Sequence, residues 1–188
     1  MAMTALPKTQ MNVDEYLTWT ATQPGRYELR DGEVFAMSPE GAGHARTKAA
    51  IDRALAASVR ARGLPCEVFP DGMTVRIDER TAYEPDAMVY CGPPLPDAAV
   101  EVPNPVIIVE VLSPSTRHID LSAKLADYFR VRSVAHYLIF ERAKRRVMHH
   151  ARANDGTILT RIISEGTITL DPPGIVLAFA DMFPPECR

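Results

Sequence analysis

Residues 106–112 read Val-Ile-Ile-Val-Glu-Val-Leu, an almost unbroken β-branched run. Such a run fits a strand covered on both faces, because a strand with one wet face would alternate apolar and polar residues. The chain therefore has to supply a sheet and helices to lie on it. Glu110 interrupts the run. A carboxylate in that position is costly to desolvate unless it meets a metal, a cation or hydrogen-bond donors. A local conflict of this kind is what a functional site looks like in a sequence.

The flanking segments supply the layers. Asn12 can cap a short helix with Glu15 three residues on, and Val13, Tyr16, Leu17 and Thr20 share one face. Residues 26–37 form two strand-like runs joined by Asp31-Gly32, which predicts a hairpin. Residues 44–62 carry Ala50, Ile51, Ala54, Leu55, Ser58 and Val59 at helical spacing, with Gly63 just beyond. Strands are expected at 66–69, 74–77 and 87–90, followed by a surface loop with Pro93, Pro94, Pro96, Pro103 and Pro105. After the central strand come a helix over about 119–131, a strand at 135–141, and a hairpin of 146–152 with 157–163 around Asn154-Asp155-Gly156. Short strands near Ile168 and Val176 and a turn at 179–183 close the chain. The order predicts an α/β fold, a central mixed sheet flanked by helices with extra β-hairpins. One domain over 1–188 is expected: an N-terminal helix and hairpin at about 12–37, a core at about 44–141 and a β-rich extension at about 146–183.

Composition narrows the function classes. With 21 Lys plus Arg against 24 Asp plus Glu the formal charge is -3, so nucleic-acid binding would need a local basic patch. Arg142, Lys144, Arg145 and Arg146 are the candidate patch, with a solvated turn as the plainer alternative. No apolar run approaches the roughly 20 residues of a membrane span. Cys66, Cys91 and Cys187 are odd in number and form no CxxC pair, which predicts neither a disulfide framework nor a zinc site, and fits a cytoplasmic protein. His149 and His150 point to opposite faces of a strand and should not share a metal. Ser113, Ser115, His118 and Asp120 lie too close together in sequence for a hydrolase triad.

Asp86 opens one strand and Glu110 sits in the next long one, so adjacent pairing can bring their carboxylates together. Two converging acids make a hard-oxygen site suited to Mg²⁺ or Mn²⁺. Lys124, on the following helix with Asp120 and Tyr128 on the same face, can reach over the strand ends to steady phosphate charge.

The segments Tyr27-Glu-Leu-Arg-Asp-Gly-Glu33, Ser38-Pro39 with His44, Glu84-Pro-Asp86, Val109-Glu-Val-Leu-Ser-Pro-Ser-Thr116, and Asp120, Lys124 and Tyr128 resemble, in this order, the Uma-two family. That family is a restriction-endonuclease-like branch of the PD-(D/E)XK nuclease superfamily, and the resemblance runs from about residue 13 to 183. It implies a restriction-endonuclease-like core and hydrolysis of DNA phosphodiesters. It also implies metal ligands in Asp86, Glu110 and the Val111 carbonyl, Lys124 as the active-site lysine, and a supporting acid in Glu28 or, second, Glu33. His44 matches the pattern without an assigned role. Leu112 stands where the superfamily has its lysine, so Lys124 takes that role only by delivery from the helix. The alternative is a non-catalytic module that binds nucleic acid or protein on the same fold. A homodimer is the expected route to cutting both strands.

Overall fold

The structure, a computed structural model, describes residues 10–113 and 122–183. Ser115, Thr116, His118, Asp120, Cys187 and the start of the helix expected at 119–131 lie outside the described residues. The elements are α1 (Val13–Thr20), β1 (Tyr27–Arg30), β2 (Glu33–Ala36), α2 (Ala42–Ala61), β3 (Glu67–Pro70), β4 (Val75–Arg76), β5 (Ala82–Tyr83), β6 (Ala87–Tyr90), β7 (Ile107–Val111), α3 (Ala123–Tyr128), β8 (His136–Glu141), a 3-10 turn (Arg142–Lys144), β9 (Arg146–Arg152), β10 (Ile158–Ile163), β11 (Thr167–Leu170), β12 (Ile175–Ala178) and α4 (Phe179–Met182).

Six strands form the central sheet in the order β10-β9-β8-β7-β6-β3. Only β7 and β8 run parallel, which makes the sheet mixed as expected. β7 is buried at every position, and its alternation sorts the core into two halves. Ile107, Val109 and Val111 face α2 and the β11–β12 hairpin, where Ile51, Leu55, Ile168 and Leu177 pack on them. Ile108 faces the opposite layer with Met88, Tyr128, Tyr137 and Ile139. Glu110 falls on this second face.

A four-stranded sheet, β2-β1-β5-β4, adjoins the central one. Its hairpin turns at Asp31-Gly32 with both residues at positive φ, as the sequence pattern requires. β5 was not expected; two residues flanked by charged turns give no periodic signal, and its strand identity comes from pairing Ala82 with Leu29. The expected strand at 74–77 shortens to β4, while Thr74 makes an isolated parallel bridge to Glu101. α1 carries the capping box, with Glu15 N–H donating to Asn12 and Asn12 N–H donating to Glu15. Among the described residues no helix is long and apolar enough to cross a membrane.

The cysteine expectation is corrected. Cys66 and Cys91 are disulfide-bonded, one step beyond the Glu67–Tyr90 pair of the β3–β6 ladder. Their separation of 25 residues gave no local clue; antiparallel register alone sets the two side by side. The pairing also removes the ground on which a reducing compartment was expected.

His149 and His150 do point to opposite faces. His149 shares a 2.9 Å ring-to-ring hydrogen bond with His136, and His150 bonds Thr160 at 2.8 Å. Burial, followed by the charges of His136, Arg161 and His150, lowers the His149 pKa to about 4. Asp171 is the acid that faces the pair from the β11–β12 turn. An unfolded imidazole takes its proton near 6.5, so the unfolded state binds more protons between those values, and stability falls as pH drops through that window. His149→Gln is expected to flatten the loss, worth up to about 3 kcal/mol, in urea denaturation at stepwise pH from 7 to 4.

Candidate active site

Two buried charge clusters meet at the carboxyl end of β7. The first is built around Glu110. Strand alternation turns this side chain toward α3, where Lys124 Nζ donates to Glu110 Oε1 at 2.8 Å and Tyr128 OH donates to the same oxygen at 2.8 Å. Lys124 also donates to Glu28 Oε1 of β1 at 2.7 Å. The ammonium is only 2% exposed and Glu28 1%, so their charges are sustained by each other rather than by water. The ring of Tyr83 lies 5.1 Å from Lys124 Nζ, and its hydroxyl donates to Asp127 at 2.6 Å. Burial, and then the charge of Glu110, raises the Tyr128 pKa, so this phenol stays a donor.

The second cluster is built around Asp86. One step beyond the Ala87–Val109 pair, Asp86 N–H donates to the Val109 carbonyl at 3.0 Å, and Val111 N–H donates to Asp86 Oδ2 at 2.7 Å. The carboxylate is met by α2: Lys48 Nζ stands 3.3 Å and His44 Nε2 3.7 Å from its two oxygens. His44 Nε2 donates to the Val111 carbonyl at 2.7 Å, and its Nδ1 is buried 3.5 Å from Glu40 without a hydrogen bond. Lys48 also contacts Glu40 and Asp71, and Arg26 ties Asp71 to Glu84 and Glu40.

Burial works to raise the carboxyls of Glu40 and Asp71, but Lys48, joined by His44 at Glu40 and by Arg26 at Asp71, outweighs it, and they sit below their ordinary range. Burial pulls the Lys48 ammonium down, and Asp86, Asp71 and Glu40 more than reverse this. Glu84 behaves oppositely. Its burial exceeds the help from Arg26, and Glu28 and Asp71 add repulsion, so its pKa is raised.

The predicted residues thus separate into two adjoining groups. Glu110, Lys124 and Glu28 meet directly, and Asp86 meets the Val111 backbone and His44. Glu33 lies beside the turn of the β1–β2 hairpin in register with Arg30, two pairs along from Glu28. The sequence reading missed Glu40, Lys48, Asp71, Arg26 and Glu84. Lys48 left a signal: His44 and Lys48 continue the buried Ile51, Leu55 and Val59 stripe of α2 toward its start. Asp71 was hidden because Asp71-Gly72 already made sense as a turn.

Glu40, His44 and Asp86 each offer a ligand atom within 4.8 Å of the others, and the Val111 carbonyl adjoins them. The donor set is mainly carboxylate and carbonyl oxygen with one imidazole, which fits Mg²⁺ or Mn²⁺. Among the described residues, six carboxylates (Glu28, Glu40, Asp71, Glu84, Asp86, Glu110) share three permanent cations (Arg26, Lys48, Lys124), an excess of acid that a divalent cation would offset. The ammonium groups already stand where a cation is favoured.

A family model described as "Uma2: Putative restriction endonuclease" matches residues 13–180. Two proteins of Synechocystis sp. are similar over most of their length. Uncharacterized protein slr1290 is 25% identical over 175 residues, spanning 93% of this chain and 90% of that protein. Uncharacterized protein sll1609 is 28% identical over 155 residues, spanning 80% and 86%. The fold is shared with a crystal structure titled as a putative nuclease belonging to DUF820 from Anabaena variabilis, at a TM-score of 0.73, 12% identity, and coverage of 92% of this chain and 97% of that one.

Removing the ammonium from the first cluster leaves two acids buried against each other. Lys124→Met is expected to lower the unfolding free energy by about 3–5 kcal/mol. Adding Glu28→Gln should restore part of it, which urea titration of the single and double variants measures.

Proposed function

The chain belongs to the Uma2 family of restriction-endonuclease-like proteins, and from that premise we propose that it is a metal-dependent endodeoxyribonuclease. It hydrolyses a DNA phosphodiester with Mg²⁺ or Mn²⁺ held by Asp86, Glu110 and the Val111 carbonyl, with Glu40 and His44, which converge on Asp86, as further ligands. A bound divalent cation supplies Lewis acidity, polarising a phosphoryl oxygen and acidifying a water.

The observation that carries the reading is the Lys124–Glu110 contact of 2.8 Å. Residues two apart in a strand share a face, so a lysine at Leu112 would rise from the same face as Glu110. α3 covers that face, and Lys124 brings an ammonium from the helix to the carboxylate instead. The missing lysine is therefore compensated in space. Lys124 steadies the charge that develops on the phosphate with its ammonium. Tyr128 and Lys124 fix one Glu110 oxygen, and Glu28 gives the buried ammonium a second carboxylate partner. The Val111 amide fixes Asp86 so that its carboxylate stays beside the Val111 carbonyl. A two-fold pair of chains would present two such centres to the two strands of a duplex.

The test is cleavage of duplex, single-stranded and branched DNA with Mg²⁺ or Mn²⁺ by identically purified variants. Asp86→Asn and Glu110→Gln are each expected to reduce the rate by at least about a hundredfold, the scale of losing one charge-stabilising group. Lys124→Met should do the same, and Leu112→Lys added to it should return activity. Unchanged cleavage in both acid variants would remove the proposed centre. Duplex binding by a wild-type protein that cuts none of these substrates would favour the non-catalytic module.

A further inference from the structure

The basic run that follows β8 does not act as a block. Lys144 Nζ pairs with Glu141 at 3.1 Å, and Arg146 pairs with the same carboxylate. Arg145 adopts positive φ at the end of the 3-10 turn, donates to the Phe183 carbonyl and sits 5.4 Å from the centre of that ring. Three of the four cations thereby have partners within the chain. Arg142 is exposed, and among the described residues its guanidinium has no carboxylate partner.

Its position follows from topology. β7 and β8 run parallel in register, with Val111 opposite Phe140, so the residues just past β8 leave the sheet at the same end as the Val111 carbonyl. There the Arg142 guanidinium folds over the first turn of α2. A Cβ built on Gly43 would stand 3.0 Å from it, so the missing side chain at Gly43 makes room for the arginine. The next residue is His44, whose imidazole lies 3.7 Å from Asp86. Arg46, three residues beyond Gly43 on the same side of the helix, is a second exposed guanidinium without an ion pair among the described residues.

We infer that Arg142, supported by Arg46, is the contact that holds a backbone phosphate of a nucleic-acid strand at the edge of the Asp86 centre; this rests on the nuclease reading. A chain of net charge -3 with an acid-rich centre repels a polyanion, so binding needs an uncommitted cation close by. A guanidinium meets that need better than an ammonium because its planar fork matches two phosphate oxygens at once. Neighbouring Glu40 keeps to Lys48 and Arg26, which leaves Arg142 open to the ligand.

The test is binding of a short fluorescent DNA duplex in calcium, followed by anisotropy across a salt titration. Arg142→Gln is expected to weaken binding about five- to tenfold at low salt and to reduce the slope of log affinity against log salt by about one. Arg142→Lys should recover part of the affinity. Arg60→Gln, at the other end of α2 and roughly 25 Å away, should match wild type. Wild-type affinity and slope in Arg142→Gln, with metal-dependent cleavage intact, would overturn the phosphate contact and leave the nuclease reading standing. Absence of wild-type binding to duplex and single-stranded DNA at every salt would overturn both.

Discussion

The buried ion cluster of Lys124 with Glu28 and Glu110 is the constraint on which the rest of this structure depends. A carboxylate in the middle of a fully covered strand is tolerated only if partners come to it. Those partners arrive from two directions. α3 lays Lys124 and Tyr128 over one face of β7, and the smaller sheet brings Glu28 along β1. The ammonium thus ties the small sheet, the helix and the central sheet together. Tyr83, from β5 of the small sheet, closes over the charge and anchors itself on Asp127 of the same helix.

At the adjoining end of the β6–β7 ladder the balance differs. Asp86 is held by the Val111 amide, so its orientation is a backbone property of the β6–β7 pair, while its charge is met by side chains of α2. Lys48 is shared among Glu40, Asp71 and Asp86, and Arg26 among Glu40, Asp71 and Glu84. The depressed carboxyls of Glu40 and Asp71 and the raised one of Glu84 are two results of the same competition between desolvation and cations. With more acids than cations among the described residues, the centre attracts positive charge and repels phosphate. Its rim therefore matters as much as its floor, and there the parallel pairing of β7 and β8 brings Arg142 to the mouth.

The architecture was largely legible in the residues. The β-branched run at 106–112 gave a strand covered on both faces, Asp31-Gly32 gave the hairpin turn, and Asn12 with Glu15 gave the first helix cap. These signals are local: a period, a turn or a cap needs only near neighbours. Glu110 and Lys124 were legible as chemistry because a charge that breaks a pattern has to be explained. The disulfide, β5 and the part played by Lys48 were not. Cys66 and Cys91 carry no spacing rule, β5 is too short to show a period, and the place of Lys48 on the apolar stripe of α2 marks it as inward-facing without naming the acids it meets.

By itself, then, the sequence determined the layers and the turns and singled out Glu110 as a charge out of place, since periodicity, backbone preference and the cost of burying charge act over a few residues. Tertiary structure alone decided who partners whom. Strand register joined Cys66 to Cys91 and put the Val111 amide on Asp86, and strand alternation sent Glu110 to α3 and Lys124. Parallel pairing of β7 with β8 left Arg142, of four similar cations, beside the centre. Contacts between residues distant in sequence depend on register and facing, which a one-residue slip would reverse, and no short stretch of chain encodes them.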